Sequence, residues 1–300
     1  MQTHHNARYP YLWYSTTEEE RVIRENRAIF SEDVQFFSWD ICAGFQGLVK
    51  NGGDSPWIWT PVNPEMNDPK AALEMVKTLP EDSVIFMKDF HHYLKDITVV
   101  RQALNIKPDL KGGGRTIVFL SPTRDIPVEM LNDITTMDFE YPDREALKRI
   151  AKVVGEDQEM DLTDKELDPV SEALMGMTAE AAENSLCFSF VKHGHFDVRT
   201  ILDEKAALLN AGGVLEYGRF TETFDNLYGL DVMKKFVLST IQAPEAKGIL
   251  IYGVPGCGKS AFCKALGNAV DRAVLIANFN AIRDKYQGVA EARAGHMFKT

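Results

Sequence analysis

Gly248-Ile-Leu-Ile-Tyr252 runs directly into Gly253-Val-Pro-Gly-Cys-Gly-Lys-Ser260, and Ala261-Phe-Cys-Lys-Ala-Leu-Gly-Asn-Ala-Val270 follows with the composition of a helix. The middle stretch fits G-x-x-x-x-G-K-[ST] and stands where that motif needs to stand, after an apolar strand and before a helix. Its glycines let the backbone wrap so that N–H groups converge on phosphates, and the helix behind points its positive end at them. In such a loop Lys259 would reach the β and γ phosphates and Ser260 would hold Mg²⁺ through its hydroxyl. The candidate nucleotide site is therefore Gly253, Val254, Pro255, Gly256, Cys257, Gly258, Lys259 and Ser260, with Ser260 as its metal ligand.

Outward from this segment, Ala273 to Ala277 predicts a second strand, so an αβ unit opens at Gly248. Upstream, the stretch from Asp143 to Asn210 carries no β signal. It predicts four helices, Arg144 to Val154, Lys165 to Met175, Ala179 to Lys192 and Val198 to Asn210. Asp143 and Thr178 mark starts, and Gly155 and the Gly212-Gly213 pair mark stops.

The first half alternates β-type runs with helical or loop segments. Tyr11 to Ser15, Val34 to Trp39, Val84 to Met87, Thr116 to Leu120 and Thr136 to Phe139 predict strands, and Glu18 to Phe30 and Ala71 to Leu79 predict covering helices. That order argues for a parallel sheet with crossover helices. Asn51 to Pro69, with Gly-Gly and four prolines, reads as an exposed loop, and Lys111-Gly-Gly-Gly as a connector.

Composition bounds the rest. The 300 residues are 45% apolar and 26% charged, with 33 basic against 44 acidic side chains and a formal net charge of -11. No overall basic field recruits nucleic acid or anionic lipid, and the apolar runs are too short to span a membrane. The start lacks a signal-peptide core, which reads as cytoplasmic. Cys42, Cys187, Cys257 and Cys263 form no C-x-x-C pair, which suits reduced thiols.

Further signals take ordinary readings. His91-His92 and His193-x-His195 read as surface or capping histidines, because no carboxylate or cysteine stands at metal-ligand spacing beside them. Asp143-Arg144 reads as a helix cap with an exposed arginine. Glu18 to Glu20 reads as the solvated first turn of a helix.

The flanks of the P-loop carry a resemblance. Phe224-Asp-Asn-Leu-Tyr-Gly-Leu-Asp-Val-Met-Lys-Lys-Phe resembles the stretch that leads into the ATPase module of the AAA family, and Asp284-Lys-Tyr-Gln-Gly288 resembles its aromatic pore loop. In the first half, Tyr11 to Arg21 occupies the place of a P-loop without its glycines or lysine. Val84 to Asp89 resembles a Walker B strand without the following Glu, and Ile117 to Ser121 sits like a sensor strand. With Arg8-Tyr-Pro, Phe86-Met-Lys-Asp-Phe-His-His-Tyr-Leu and Leu120-Ser-Pro-Thr-Arg, nearly the whole chain resembles the AAA ATPases found as hypothetical frames in algal plastids and cyanobacteria.

The resemblance implies an α/β fold in three parts. Residues 1–142 would be a degenerate AAA-like αβα domain, 143–213 a helical lid, and 214–300 the front of an AAA core, truncated before Walker B. It further implies that Tyr228 and Gly229 lie near the adenine and that Tyr286 grips a substrate in the pore, although Gly288-Val-Ala-Glu291 departs from the family pattern. ATP with Mg²⁺ is the implied cofactor, and a homo-oligomeric ring hydrolysing ATP to remodel a protein client is the implied activity. A plastid frame would place the protein in the stroma. No catalytic residue is identifiable, because the Asp-Glu strand and arginine finger that such a motor needs are expected past Thr300. A nucleotide-responsive scaffold without turnover is the alternative.

Overall fold

The computed structural model describes residues 1–50, 57–211, 215–218, 220–241, 248–270 and 274–277. The chain divides into two compact units, one of residues 1–141 with 178–180 and one of 142–177 with 181–300.

The first unit is built on a seven-stranded sheet. In chain order its strands are β1 (Tyr11–Ser15), β2 (Phe36–Asp40), β3 (Gly44–Lys50), β4 (Trp57–Asn63), β5 (Val84–Lys88), β6 (Thr116–Ser121) and β7 (Ile134–Met137). Across the sheet they run β4-β3-β2-β5-β6-β1-β7. β1 pairs in parallel with β6 and β7, and β5 in parallel with β2 and β6. Both faces of these strands are covered, which is why Tyr11-Leu-Trp-Tyr, Val84-Ile-Phe-Met and Ile117-Val-Phe-Leu read as unbroken apolar runs rather than alternating ones.

The side chains sort by face with period two. Tyr11, Trp13, Ile85, Met87, Ile117 and Phe119 enter one core, which α3 (Pro69–Val76) and α4 (Ile97–Gly112) cover with Leu73, Val76, Val99 and Ala103. Leu12, Tyr14, Val84, Phe86, Val118 and Leu120 enter the other, covered by Val22 and Ile23 of α2 (Glu19–Ile29). The Tyr11 hydroxyl donates to the Ala103 carbonyl at 2.5 Å, giving the buried phenol a partner on α4. Burial pushes its pKa far above the ordinary tyrosine value.

Several expectations need correcting. The sheet is not all parallel, since β3 runs antiparallel to both β2 and β4. The part of the Asn51 to Pro69 segment from Trp57 to Asn63 is a strand rather than a loop, and residues 51–56 lie outside the described ones. Pro61 is compatible with that strand because β4 is at the sheet edge, where a missing N–H costs no ladder bond. Helix α4 was not anticipated. Asp96 caps it, accepting from the Thr98 N–H at 2.8 Å, and Gly113 ends it. The ends of β2 and β7 each shift by one or two residues from the expected ranges.

A short N-terminal helix, α1 (Gln2–Asn6), inserts His5 beneath the sheet. The Thr116 hydroxyl donates to the Tyr9 carbonyl at 3.0 Å, so His5 Nδ1–H is the donor to Thr116 Oγ1 at 2.9 Å. Burial lowers the His5 pKa, with Asp82 opposing and Arg8 reinforcing. A folded-state pKa below the unfolded one means that the unfolded chain takes the proton more readily, so this contribution to stability is lost as pH falls through 6.5. Urea midpoints followed at pH 7.5, 6.5 and 5.5 are expected to fall, with a slope of at most about 1.4 kcal/mol per pH unit from this one group. In His5→Asn the part of the slope due to His5 should vanish.

In the second unit four helices, α5 (Arg144–Asp157), α6 (Asp164–Leu174), α7 (Ala179–His193) and α8 (Val198–Ala211), close on Leu147, Ala151, Leu167, Leu174, Leu186 and Ile201. Asp143 caps α5 by accepting from the Ala146 N–H at 2.7 Å. Glu166 reaches back to the Thr163 N–H at 2.9 Å and secures α6. Gly155 does not end α5 but lies within it. A β-carbon there would meet Leu162 Cδ1 at 2.7 Å, so the glycine serves close packing instead of a stop. The Gly212-Gly213 pair lies outside the described residues.

The same unit continues with β8 (Leu215–Gly218), α9 (Asp231–Ile241), α10 (Lys259–Ala269) and β9 (Val274–Ala277). β8 and β9 form an antiparallel pair. The expected strand Gly248 to Tyr252 is not formed. Leu250 is 88% and Tyr252 90% exposed, and a strand is defined by a ladder that no described neighbour supplies here.

Candidate functional site

Two loops that lead into a helix can be compared, one in each unit. At the first, β1 leads into α2 through Thr16-Thr17-Glu18. The Thr16 N–H is spent on the Ser121 carbonyl at 2.9 Å, and the Glu18 N–H on Thr16 Oγ1 at 3.0 Å. Three carboxylates then crowd the helix start. Glu20 is exposed as expected, whereas Glu18 and Glu19 are largely covered. Glu18 pairs with Arg21 at 2.7 Å and accepts from the Ala179 N–H at 2.6 Å, and Lys88 binds Glu20 at 2.6 Å and Glu19 at 3.4 Å. Burial pushes the Glu19 carboxyl up while Lys88 pulls it down. The positive end of α2 is already neutralised by the chain's own anions, so it offers no place to a phosphate.

The second junction is the opposite. Gly256 and Gly258 adopt left-handed conformations at φ +82° and +84°, which side-chain-bearing residues rarely take. Among the described residues no atom lies within 4 Å of where a β-carbon would sit on either, so their backbone is open on that side. Gly258 then starts α10 without a side-chain cap, and the first turn of that helix holds no acidic residue. The positive helix end is uncompensated. Lys259 folds across the loop and donates to the carbonyls of Gly253 at 2.9 Å and Val254 at 2.8 Å. The Ser260 side chain is exposed beside it.

These residues fit a nucleoside triphosphate and its magnesium: an open cradle of backbone, a free helix N-terminus, an ammonium already over the loop, and an exposed hydroxyl one residue on. Bound Mg-ATP would supply an activated phosphoanhydride.

Behind the loop, Phe262 of α10 is buried against Phe224, with ring centroids 5.2 Å apart. Lys234 of α9 donates to the carbonyls of Phe224 at 2.8 Å and Leu227 at 2.6 Å. Asn268 donates to the carbonyls of Phe220 and Glu222 at 2.5 and 2.6 Å. The segment carrying Tyr228 and Gly229 is thus tied to the helix that begins at the P-loop. Tyr228 itself is 89% exposed, and Gly229 is left-handed at φ +75°. Tyr286 lies outside the described residues.

The other candidates separate clearly. His193 bonds Thr200 Oγ1 at 2.9 Å, and Asp197 accepts from the Thr200 N–H at 2.9 Å, which is a helix-capping arrangement at the start of α8. Arg144 approaches Asp168 at 3.7 Å. His91 departs from its surface reading: it is only 4% exposed, and burial together with the neighbouring His92 holds its imidazole below the ordinary value. Sequence reasoning passed over its partner Asp89, two residues upstream, because the grouping depends on the 3₁₀ turn that follows β5.

A glycine loop of this pattern at the start of a helix is the feature of the P-loop nucleotide-binding class. Family models agree along the chain: SpoVK-like AAA ATPase, N-terminal domain, matches residues 1–139; its second domain matches 144–212; and the AAA family proper, ATPases associated with various cellular activities, matches 249–300. The chain belongs to the AAA ATPase family and carries SpoVK-like AAA domains.

Among its relatives is the uncharacterised AAA domain-containing protein ycf46 of Guillardia theta, 26% identical over 98% of this chain and 59% of the relative. Its namesake in Trieres chinensis is 27% identical over 97% and 60%. The chain therefore spans about 60% of the length of these curated relatives. Among solved structures, the FIGL-1 AAA domain in complex with ADP aligns over 65% of this chain and 70% of its own, at 11% identity and a TM-score of 0.42. No helix among the described residues is long and apolar enough to cross a membrane.

Proposed function

We propose that the chain binds one Mg-ATP at Gly253–Ser260. In the whole protein, hydrolysis of that ATP around a homo-oligomeric ring would drive remodelling of a protein client. The observation that carries this reading is the pair of left-handed glycines opening α10 with an uncompensated helix end and Lys259 across the loop. Ser260 holds the magnesium, and Tyr228 and Gly229 stand beside the base.

The first unit takes no nucleotide. Its equivalent junction is filled by Glu18, Glu19 and Glu20, so its place in the protein is to hold partners and neighbouring subunits. The division into a nucleotide-free αβα domain, a helical lid and an AAA core front follows that assignment. The compartment we assign is the cytoplasm, or the stroma where the frame is plastid-borne.

Titration with a fluorescent ATP analogue in magnesium should give a stoichiometry of one per chain. Two sites per chain would remove the assignment of the first unit. Phosphate release by the full-length protein, scaling with ring assembly, tests hydrolysis; binding without any release would leave a nucleotide-responsive scaffold.

A further inference from the structure

We infer that Asp89, His91 and His92, at the carboxyl end of β5, form a binding site for one divalent transition metal of the zinc class. One ligand atom from each of the three side chains lies within 4.8 Å of the others. The reason is local geometry. The 3₁₀ helix Phe90–Lys95 follows β5 directly, and in a 3₁₀ turn residues three apart eclipse, which sets His92 over Asp89.

Asp89 is fixed at the turn itself. It takes a left-handed conformation at φ 52°, and its N–H donates to the Leu120 carbonyl at 2.9 Å. Phe90, buried in the aromatic core against Trp39 and Phe119, holds the turn in place. The arrangement is thus rigid, as a metal site needs.

A second observation points to a ligand. His91 Nδ1 is buried and has no hydrogen-bond partner among the described residues, on a side chain 5% exposed. Its nearest charged neighbour is Asp89 Oδ1 at 3.8 Å, beyond hydrogen-bond length. Metal–ligand bonds of about 2.1 Å bring two donors no farther apart than about 4.2 Å, so that separation suits a shared cation better than a direct contact. The two imidazoles lie face to tilted face, with centroids 3.9 Å apart.

Two imidazoles and one carboxylate suit zinc, nickel, cobalt or copper rather than calcium or magnesium, which prefer all-oxygen shells. His92 and Asp89 are exposed, so the outer side of the cation is open to solvent or to a further donor. Asp89, His91 and His92 belong to the first unit and the P-loop to the second.

The test uses the purified 300-residue chain, stripped with a chelator and titrated with Zn²⁺ by calorimetry and with Co²⁺ by visible absorption. One equivalent should bind, with cobalt d–d bands showing nitrogen ligation. His92→Ala and Asp89→Asn replace exposed groups, and Asn tolerates the left-handed backbone, so both variants should fold. Each should weaken metal binding at least about 10-fold, the lower end of what even outer-shell losses cost. His195→Ala, an exposed histidine elsewhere, should leave it unchanged. Equal zinc affinity in the parent, His92→Ala and Asp89→Asn, or no stoichiometric binding by the parent, would overturn the proposal.

Discussion

Lys259→Ala is expected to lower the affinity for Mg-ATP by roughly 10- to 100-fold, since hydrogen bonds to charged groups are worth about 1.5–3 kcal/mol. The ammonium bonds two loop carbonyls, those of Gly253 and Val254, and also reaches Cys257 Sγ at 3.6 Å. All three lie on an exposed loop where water can replace it, so the variant should fold like the parent. The buried contacts of α10 are made by Phe262 and Ala265 rather than by Lys259.

Fluorescent-nucleotide titration at fixed magnesium, beside a thermal melt of both proteins, separates lost binding from lost fold. An unchanged dissociation constant would mean that the loop does not hold the phosphates. Lys259→Arg is expected to recover little, because a planar guanidinium cannot replace a compact ammonium between two converging carbonyls and a phosphate.

Phe119→Ala is the substitution with the largest expected cost in stability. The ring is fully buried on β6, with its centroid 5.9 Å from that of Tyr11, 5.5 Å from Trp13 and 5.6 Å from Phe90. A Phe-to-Ala change in such a core costs about 3–5 kcal/mol, out of a typical total of about 5–15. All four tryptophans, Trp13, Trp39, Trp57 and Trp59, lie in the first unit, so tryptophan fluorescence in urea follows that unit alone. The midpoint should fall sharply with the slope kept. A loss under about 1 kcal/mol would mean that the aromatic cluster repacks around the gap.

The parts of the fold that reading along the chain reached are those whose signal is local. Tyr11–Ser15 and Val84–Lys88 announce themselves because each is an unbroken apolar run buried on both faces. Helices α5 to α8 come within a few residues of expectation because their stripes and caps, Asp143 above all, are written in neighbouring residues. Helix α4 was hidden by Pro108 in its last third and the glycines behind it, although Asp96 and Thr98 supply a good cap. β3 and β4 were hidden for another reason: on the sheet edge Trp57 to Asn63 is half exposed, and Pro61 looks like a loop residue until a partner strand is seen beside it.

The P-loop motif, the family to which the chain belongs and the absence of a phosphate motif from the first junction were determined by sequence, because each depends on residue types at short fixed spacing. Tertiary structure alone decided what fills the first junction. The contacts that bring Lys88 to Glu19 and Glu20, and Ala179 to Glu18, join residues distant in the chain. It also decided that Gly155 is a packing residue, that residues 248–252 have no ladder among the described residues, and that His91 is buried beside Asp89 and His92. Pairing, burial and the meeting of side chains across a turn are properties of neighbours in space, and a linear pattern carries them only when those neighbours are also neighbours in the chain.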